Sequence, residues 1–184
     1  MANKKKTTET SLKILRAANA LILEQGVAHL TLEAVAQQAG VSKGGLLYHF
    51  PHKEALIKGL LNYLAQDFDQ ELERQLEAEP DRDKSGSWLR AYIRASFMPS
   101  QNPSNVDAGL LAAVTLNPEL LVSVRQNFKD WQAQVEQDGL DPALATVIRL
   151  AADGLWLAEL LELGAPNPAL REQVVAKLLE LSGG

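Results

Sequence analysis

From Leu56 onward the chain places Leu56, Leu60, Leu64, Phe68, Leu72 and Leu76 at successive four-residue steps, and the run stops at Glu79-Pro80. One apolar side chain per turn buries its stripe only as a helix packed on other elements, and a proline closes it. Composition extends this reading to the rest of the chain. Leu (32) and Ala (25) far outnumber Val, Ile and Thr (11, 5 and 6), so the residues that lose least rotamer freedom in a helix dominate. The expectation is an all-α protein. Its 184 residues suit one compact domain, or a small domain packed on a larger one. With 46% hydrophobic and 22% charged residues, the chain falls outside the disordered class. It has no cysteine, which excludes disulfides, thiolate nucleophiles and Cys-ligated metal or iron–sulfur sites. The opening Met1-Ala2-Asn3-Lys4-Lys5-Lys6 lacks an apolar signal core, and no uninterrupted 18-residue apolar run occurs. A soluble, cytoplasmic protein is expected, with no membrane partner.

About nine helices are expected. The first, over residues 9–25, carries Leu15, Ala18 and Ile22 behind Thr10-Ser11 and ends at Gly26. The second starts at Thr31 and runs to about residue 39, with Glu33 in its first turn. Gly40-Val41-Ser42 makes a turn into a short third helix over 43–49. The fourth follows Pro51 and ends at Pro80. Residues 77–87 show no apolar period and read as an exposed loop, with a second loop at 99–105. Further helices are expected over 87–98, 106–116, 118–137, 142–163 and 168–182. Three of these begin at Asn117-Pro118, Asp141-Pro142 and Asn167-Pro168, where a capping side chain precedes a proline at the first helical position.

Residues 31–53 carry the functional pattern. Small Ala36 lets two helices approach, Gly40 makes the sharp turn, and Leu46 and Phe50 anchor the second helix to a core. With Gly40-Val41-Ser42, the triplet Tyr48-His49-Phe50 and Lys53-Glu54-Ala55-Leu56 in place, residues 9–58 resemble the TetR family of transcriptional regulators. The resemblance implies a three-helix DNA-binding head, a connecting fourth helix and a regulatory body. We expect residues 1–55 to form the helix-turn-helix domain and 56–184 the ligand-binding and dimerisation domain.

A recognition helix this short inserts only its N-terminal side chains into the major groove, so Lys43, Gly44 and Leu47 are the base-facing residues. Lys43 can donate to guanine acceptors and Leu47 can touch a thymine methyl. Tyr48, His49 and Lys53 would flank the groove and donate to phosphate oxygens, while Thr31 and Ser42 stand at helix N-termini that attract phosphate. Thr31 and Ser42 would cap helices in any helical protein, and both jobs are compatible. Tyr48 and His49 cannot both face inward beside Phe50 on one short helix. Leu47 and Gly45 depart from the aromatic residue and the Thr that the family often has there. His49 and His52 lack a third metal ligand, so no metal and no cofactor are expected. The Lys4-Lys5-Lys6 run reads as a solvated tail or a minor-groove arm.

Charge separates the two parts. Residues 1–60 hold eight Lys/Arg against four Glu, whereas the whole chain carries −5, so the remainder is strongly acidic. In that remainder Trp88, Tyr92, Phe97, Met98, Phe128, Trp131 and Trp156 are expected to surround a small apolar effector pocket, with plain core as the alternative. Asp153, in an otherwise apolar stretch, needs a donor or cation nearby, either Arg149 one turn away or a cationic effector. Arg90 and Arg94, one turn apart, read as a solvated face or as paired cations for an anionic effector. The last two helices carry Leu155 and Leu161, then Leu170, Val174 and Leu178, as a two-helix dimerisation surface; by resemblance, these are the helices that dimerise TetR-like proteins.

The function expected is a homodimeric, ligand-responsive repressor that binds a palindromic double-stranded DNA operator and is released by a small-molecule effector. An all-α carrier or enzyme, or a DNA-binding protein without an effector, are the alternatives. Catalysis fits poorly, because His29, His49 and His52 all lie in the basic head.

Overall fold

In the computed structural model, the residues described are 2–97, 111, 114 and 117–183, with side chains from residue 8 onward. These residues are helical and turn, with eight α-helices and one 3₁₀ turn: α1 (Ala2–Gln25), α2 (Leu32–Gln38), α3 (Lys43–His49), α4 (Lys53–Glu77), α5 (Ser87–Phe97), α6 (Pro118–Gln137), α7 (Pro142–Leu160) and α8 (Pro168–Leu181). The expected loop over 99–105 and nearly all of the helix expected over 106–116 lie outside the described residues. α1 starts at Ala2, upstream of the expected residue 9. The helix starts read from Asx-Pro pairs hold. Asp141 accepts from the Leu144 N–H at 2.9 Å, Asn167 from Leu170 at 3.0 Å, and Asn117 from Glu119 at 3.1 Å.

The chain divides into two units, Met1–Gln66 with Ser104–Arg125, and Asp67–Pro103 with Gln126–Gly184. The core of the first gathers Ile14, Ala18 and Ile22 of α1, Val35 and Ala36 of α2, Leu46 of α3, Phe50, and Leu56 and Leu60 of α4. Helices of seven residues are too short to persist alone in water, so α2 and α3 exist because these side chains are buried. Gly40 adopts φ 58°, the left-handed conformation that turns α2 into α3 without a Cβ penalty. Gly59 brings α4 against Phe50, since a Cβ there would sit 2.6 Å from the ring.

The second unit is built around Leu72, Leu89, Ile93, Val135, Ile148, Ala152 and Leu178, drawn from α4 through α8. Its α4–α5 connection is exposed at most positions, as its polar sequence led us to expect, but it is anchored at three of them. Glu79, Gly86 and Ser87 are buried. Arg90, neither a solvated cation nor a free one, is only 1% exposed and holds this segment together. Its Nε donates to Glu79 at 3.2 Å, and its Nη1 donates to the carbonyls of Ser85 at 3.1 Å and Ser182 at 2.6 Å. Arg94 closes on the other oxygen of Glu79. Gly86, at φ 81°, is required here, because a Cβ would meet the Ser182 carbonyl at 2.0 Å. The N-terminus of α5 is capped from across the sequence: Asp138 accepts from the N–H groups of Trp88 at 2.9 Å and Leu89 at 2.8 Å. No described helix is long and apolar enough to cross a membrane.

Candidate nucleic-acid interface and body cleft

The outward side of α3 is assembled by two caps. Thr31 accepts from the Ala34 N–H at 3.1 Å and Ser42 from the Gly45 N–H at 3.0 Å, which fixes where each helix begins. Gly45 leaves room for that second cap, since a Cβ would approach the Ser42 hydroxyl to 3.2 Å. With Leu46 and Phe50 buried, Lys43, Gly44 and Tyr48 are exposed and Leu47 and His49 are half-buried. Tyr48 is 77% exposed, an unusual position for an aromatic ring, and packs edge-on to His49 with centroids 5.2 Å apart. Lys53 is exposed on the first turn of α4. Two partners were not legible from the sequence. Lys43 donates to Glu33 of α2, and this hydrogen bond and charge hold the Glu33 carboxyl below its ordinary range. His52 caps α4, its Nδ1 accepting from the Ala55 N–H at 3.2 Å. The side chains of Lys4-Lys5-Lys6 lie outside those described. What the first unit offers is thus a short helix with a cation, a glycine and an exposed phenol on one side, flanked by two helix N-termini.

The expected effector residues divide. Phe68, Trp88, Tyr92, Phe128 and Trp131 form one aromatic cluster, with centroid separations of 5.0 to 6.0 Å. Tyr92 and Phe97 are buried in the second unit's core, Trp88, Trp131 and Trp156 are half-buried against it, and Phe128 lies at its exposed edge. Met98 lies outside the described residues. Asp153 has the expected partner, Arg149, and a second that the sequence did not reveal, Tyr92. Arg149 Nη1 donates to it at 2.6 Å and the Tyr92 hydroxyl donates to its other oxygen, also at 2.6 Å. Arg149 Nε then donates to Gln132 at 2.8 Å, and Gln132 to Thr146 at 2.9 Å. Burial pushes the Asp153 carboxyl upward, against the opposing effect of Tyr92 and Arg149, and burial beside Asp153 pushes the Tyr92 phenol upward. Because Arg149 would lose its charged partner, Asp153→Asn should lower stability by roughly 2 kcal/mol, about 4–8 °C in a chain of this size, read by differential scanning calorimetry. An unchanged midpoint would mean that the network is not structural.

A cleft of about 330 Å³ opens among α4, α5 and α6 within the second unit, lined by Trp88 and Trp131 together with residues the sequence did not single out, among them Asp69, Glu73 and Asp130. The one available signal was spacing, since Asp69 and Glu73 stand one turn apart on α4. Among the described residues no group of three or more His, Cys, Asp or Glu is placed to hold a metal ion.

The expected dimer residues divide as well. Leu155 (8% exposed) and Leu178 (5%) are packed in the core of their own chain, whereas Leu170 is exposed and Leu161 and Val174 partly so. Beside them α7 carries an uncovered apolar face that includes Leu144, Val147, Leu150 and Leu157, with Val147 62% exposed.

Residues 14–60 match the family described as bacterial regulatory proteins, tetR family, and residues 86–183 match the tetracyclin repressor-like C-terminal domain. The chain is similar to the HTH-type transcriptional regulator TtgR of Pseudomonas putida, at 36% identity over 91 residues that make up 50% of this chain and 43% of that one. It is also similar to the nucleoid occlusion factor SlmA of Aliivibrio fischeri, 31% identical over 126 residues, 68% of this chain and 64% of that one. The chain thus spans less than half the length of the Pseudomonas putida regulator and less than two thirds of the Aliivibrio fischeri protein. Among solved structures, a TetR transcription regulator from Haloarcula marismortui shares the fold at TM-score 0.73 and 18% identity, over 96% of this chain and 97% of that one. The multidrug binding protein EbrR, complexed with malachite green, does so at TM-score 0.64 and 23% identity, over 93% and 96%.

Proposed function

The chain belongs to the tetR family of bacterial regulatory proteins, and from that premise we propose that it is a cytoplasmic homodimeric repressor that grips a palindromic operator with α3 and lets go when a small molecule enters its body. Residues 1–55 are the DNA-binding domain in this reading, and residues 56–184 bind the effector and the second copy. The observation that carries it is the outward side of α3, where Lys43, Gly44 and a Tyr48 that is 77% exposed stand clear of the core. Lys43 and Leu47 read bases, and Tyr48, His49, Lys53 and the capped N-termini at Thr31 and Ser42 hold phosphates. The uncovered face of α7 with Leu161, Leu170 and Val174 meets its equivalent in a second copy, which sets two heads at the spacing a two-fold operator requires. α4 contributes residues to both units, so a ligand that moves it changes the population of the DNA-competent state. A solved neighbour that is a multidrug binding protein fits a body that takes a small organic molecule.

Mapping bound sites across the genome, followed by titration of the recovered operator, tests the reading. If each copy neutralises about four phosphates, log K should fall against log salt with a slope near about −7. Lys53→Ala should weaken every sequence about equally, because a phosphate contact carries no base information, whereas Lys43→Ala should relax preference at one operator position by roughly 1–3 kcal/mol. A flat salt response, or equal loss of specificity in the two variants, would remove these roles.

A further inference from the structure

The cleft among α4, α5 and α6 has a composition that selects a ligand class. Among the described residues its lining includes two indoles, Trp88 and Trp131, the apolar side chains of Leu72 and Leu76, three carboxylates and no Lys, Arg or His. The aromatic wall is held in place before any ligand arrives. Trp131 Nε1 donates to Asp69 at 2.9 Å, and Trp88 lies stacked on Tyr92 with centroids 5.4 Å apart and 21° between planes. Tyr92 is tied in turn to Asp153 through its hydroxyl. Such preorganisation removes an ordering cost from binding. Among the described residues no cation pairs with these carboxylates. Asp130 accepts only a neutral amide bond, from Gln126 at 2.9 Å, and Glu73 makes no hydrogen bond or ion pair among the described residues.

Each component points the same way. An indole face attracts a cation through its quadrupole, the leucines favour a carbon-rich body, and three negative charges repel an anion. A bare metal ion is a poor fit, since no described cluster has ligands placed for one. The volume lies at the lower end of the range for sites that hold drug-sized molecules. We propose that this cleft binds a small organic cation with aromatic or alkyl surface, recognised by Trp88 and Trp131 and by the charges of Glu73, Asp130 and Asp69. The proposal rests on the effector reading above for its consequence at the DNA, and on the cleft alone for binding.

Tetraphenylphosphonium and tetraphenylborate have nearly the same shape and opposite charge, which separates the electrostatic part from the apolar part. Calorimetric titration of the full chain without DNA should show the phosphonium binding at least about tenfold tighter than the borate. The double variant Glu73→Gln with Asp130→Asn replaces exposed groups isosterically, so its thermal midpoint should stay unchanged while that ratio falls below about threefold. Equal affinity of the two ions, absence of phosphonium binding, or a ratio unaltered in the folded double variant would each overturn the proposal. A separate titration of operator DNA at saturating phosphonium tests release. Unchanged operator affinity with calorimetric binding intact would overturn the effector reading and leave the cation site standing.

Discussion

Val147→Glu is expected to yield a folded monomer whose operator affinity is lower by roughly 10² to 10⁴-fold. In the single chain Val147 is 62% exposed, so a glutamate there meets water and costs the monomer little. In a dimer joined through α7 and α8 the same carboxylate would be buried without a partner, at a cost of several kcal/mol. A second head tethered by the dimer binds as an intramolecular event, and losing it forfeits an avidity of about that size. Leu178→Glu is the contrasting variant. Leu178 is 5% exposed in its own core, so the charge should unfold the second unit rather than separate two intact copies. Sedimentation velocity distinguishes the outcomes, and fluorescence anisotropy with operator DNA measures the affinity. A Val147→Glu protein that still sediments as a dimer would place the interface elsewhere.

Arg90→Met should destabilise the second unit by about 3–5 kcal/mol, a drop of roughly 10 °C or more in the thermal midpoint. Methionine fills most of the volume but leaves Glu79 with Arg94 alone and strips the Ser182 carbonyl of its donor. Adding Glu79→Gln in the same chain should recover part of the loss, because the stranded charge is then gone. The pair also shapes the acid limb of stability. Burial raises the Glu79 carboxyl, but the hydrogen bonds and charges of Arg94 and Arg90 outweigh it and hold the carboxyl below its ordinary value of 4.5. A lowered folded-state value contributes stability that is complete above the ordinary glutamate range and fades as pH falls through the folded-state value. The natural chain should therefore lose stability steeply below about pH 4.5, whereas the Arg90→Met, Glu79→Gln chain should show a flatter acid limb in calorimetric scans.

The starts of α2, α3, α7 and α8 and the helix-turn-helix were legible because they depend on neighbours in sequence. A cap needs only the side chain before the first turn, and Thr31, Ser42, Asp141 and Asn167 each supply it. The faces of α7 were not legible, since Leu144, Val147, Ile148, Ala151 and Leu155 cover most of its circumference and periodicity does not say which side meets its own chain. Leu155 turned inward and Val147 outward for reasons that lie in α5 and α8. Glu79, Asp138 and Asp69 escaped notice for a related reason. Their partners are 11 to 62 residues away, and nothing local marks a carboxylate in a polar stretch as buried or engaged.

The bond from Arg90 to the Ser182 carbonyl joins residues 92 positions apart. At ribosomal speeds of about 5–20 residues per second, Arg90 is made roughly 5–18 seconds before its acceptor. Until Ser182 is made Arg90 lacks that acceptor, and for about the first half of the interval the N–H groups of Trp88 and Leu89 also await Asp138, while α1 to α3, whose core partners from α4 come early, can already condense. Birth order therefore differs between the two units, with the core of α1 to α4 maturing ahead of the contacts that close on Arg90. Slowing translation between α5 and α8 lengthens the exposure of that half-built segment to proteases and chaperones without altering a single contact of the finished fold.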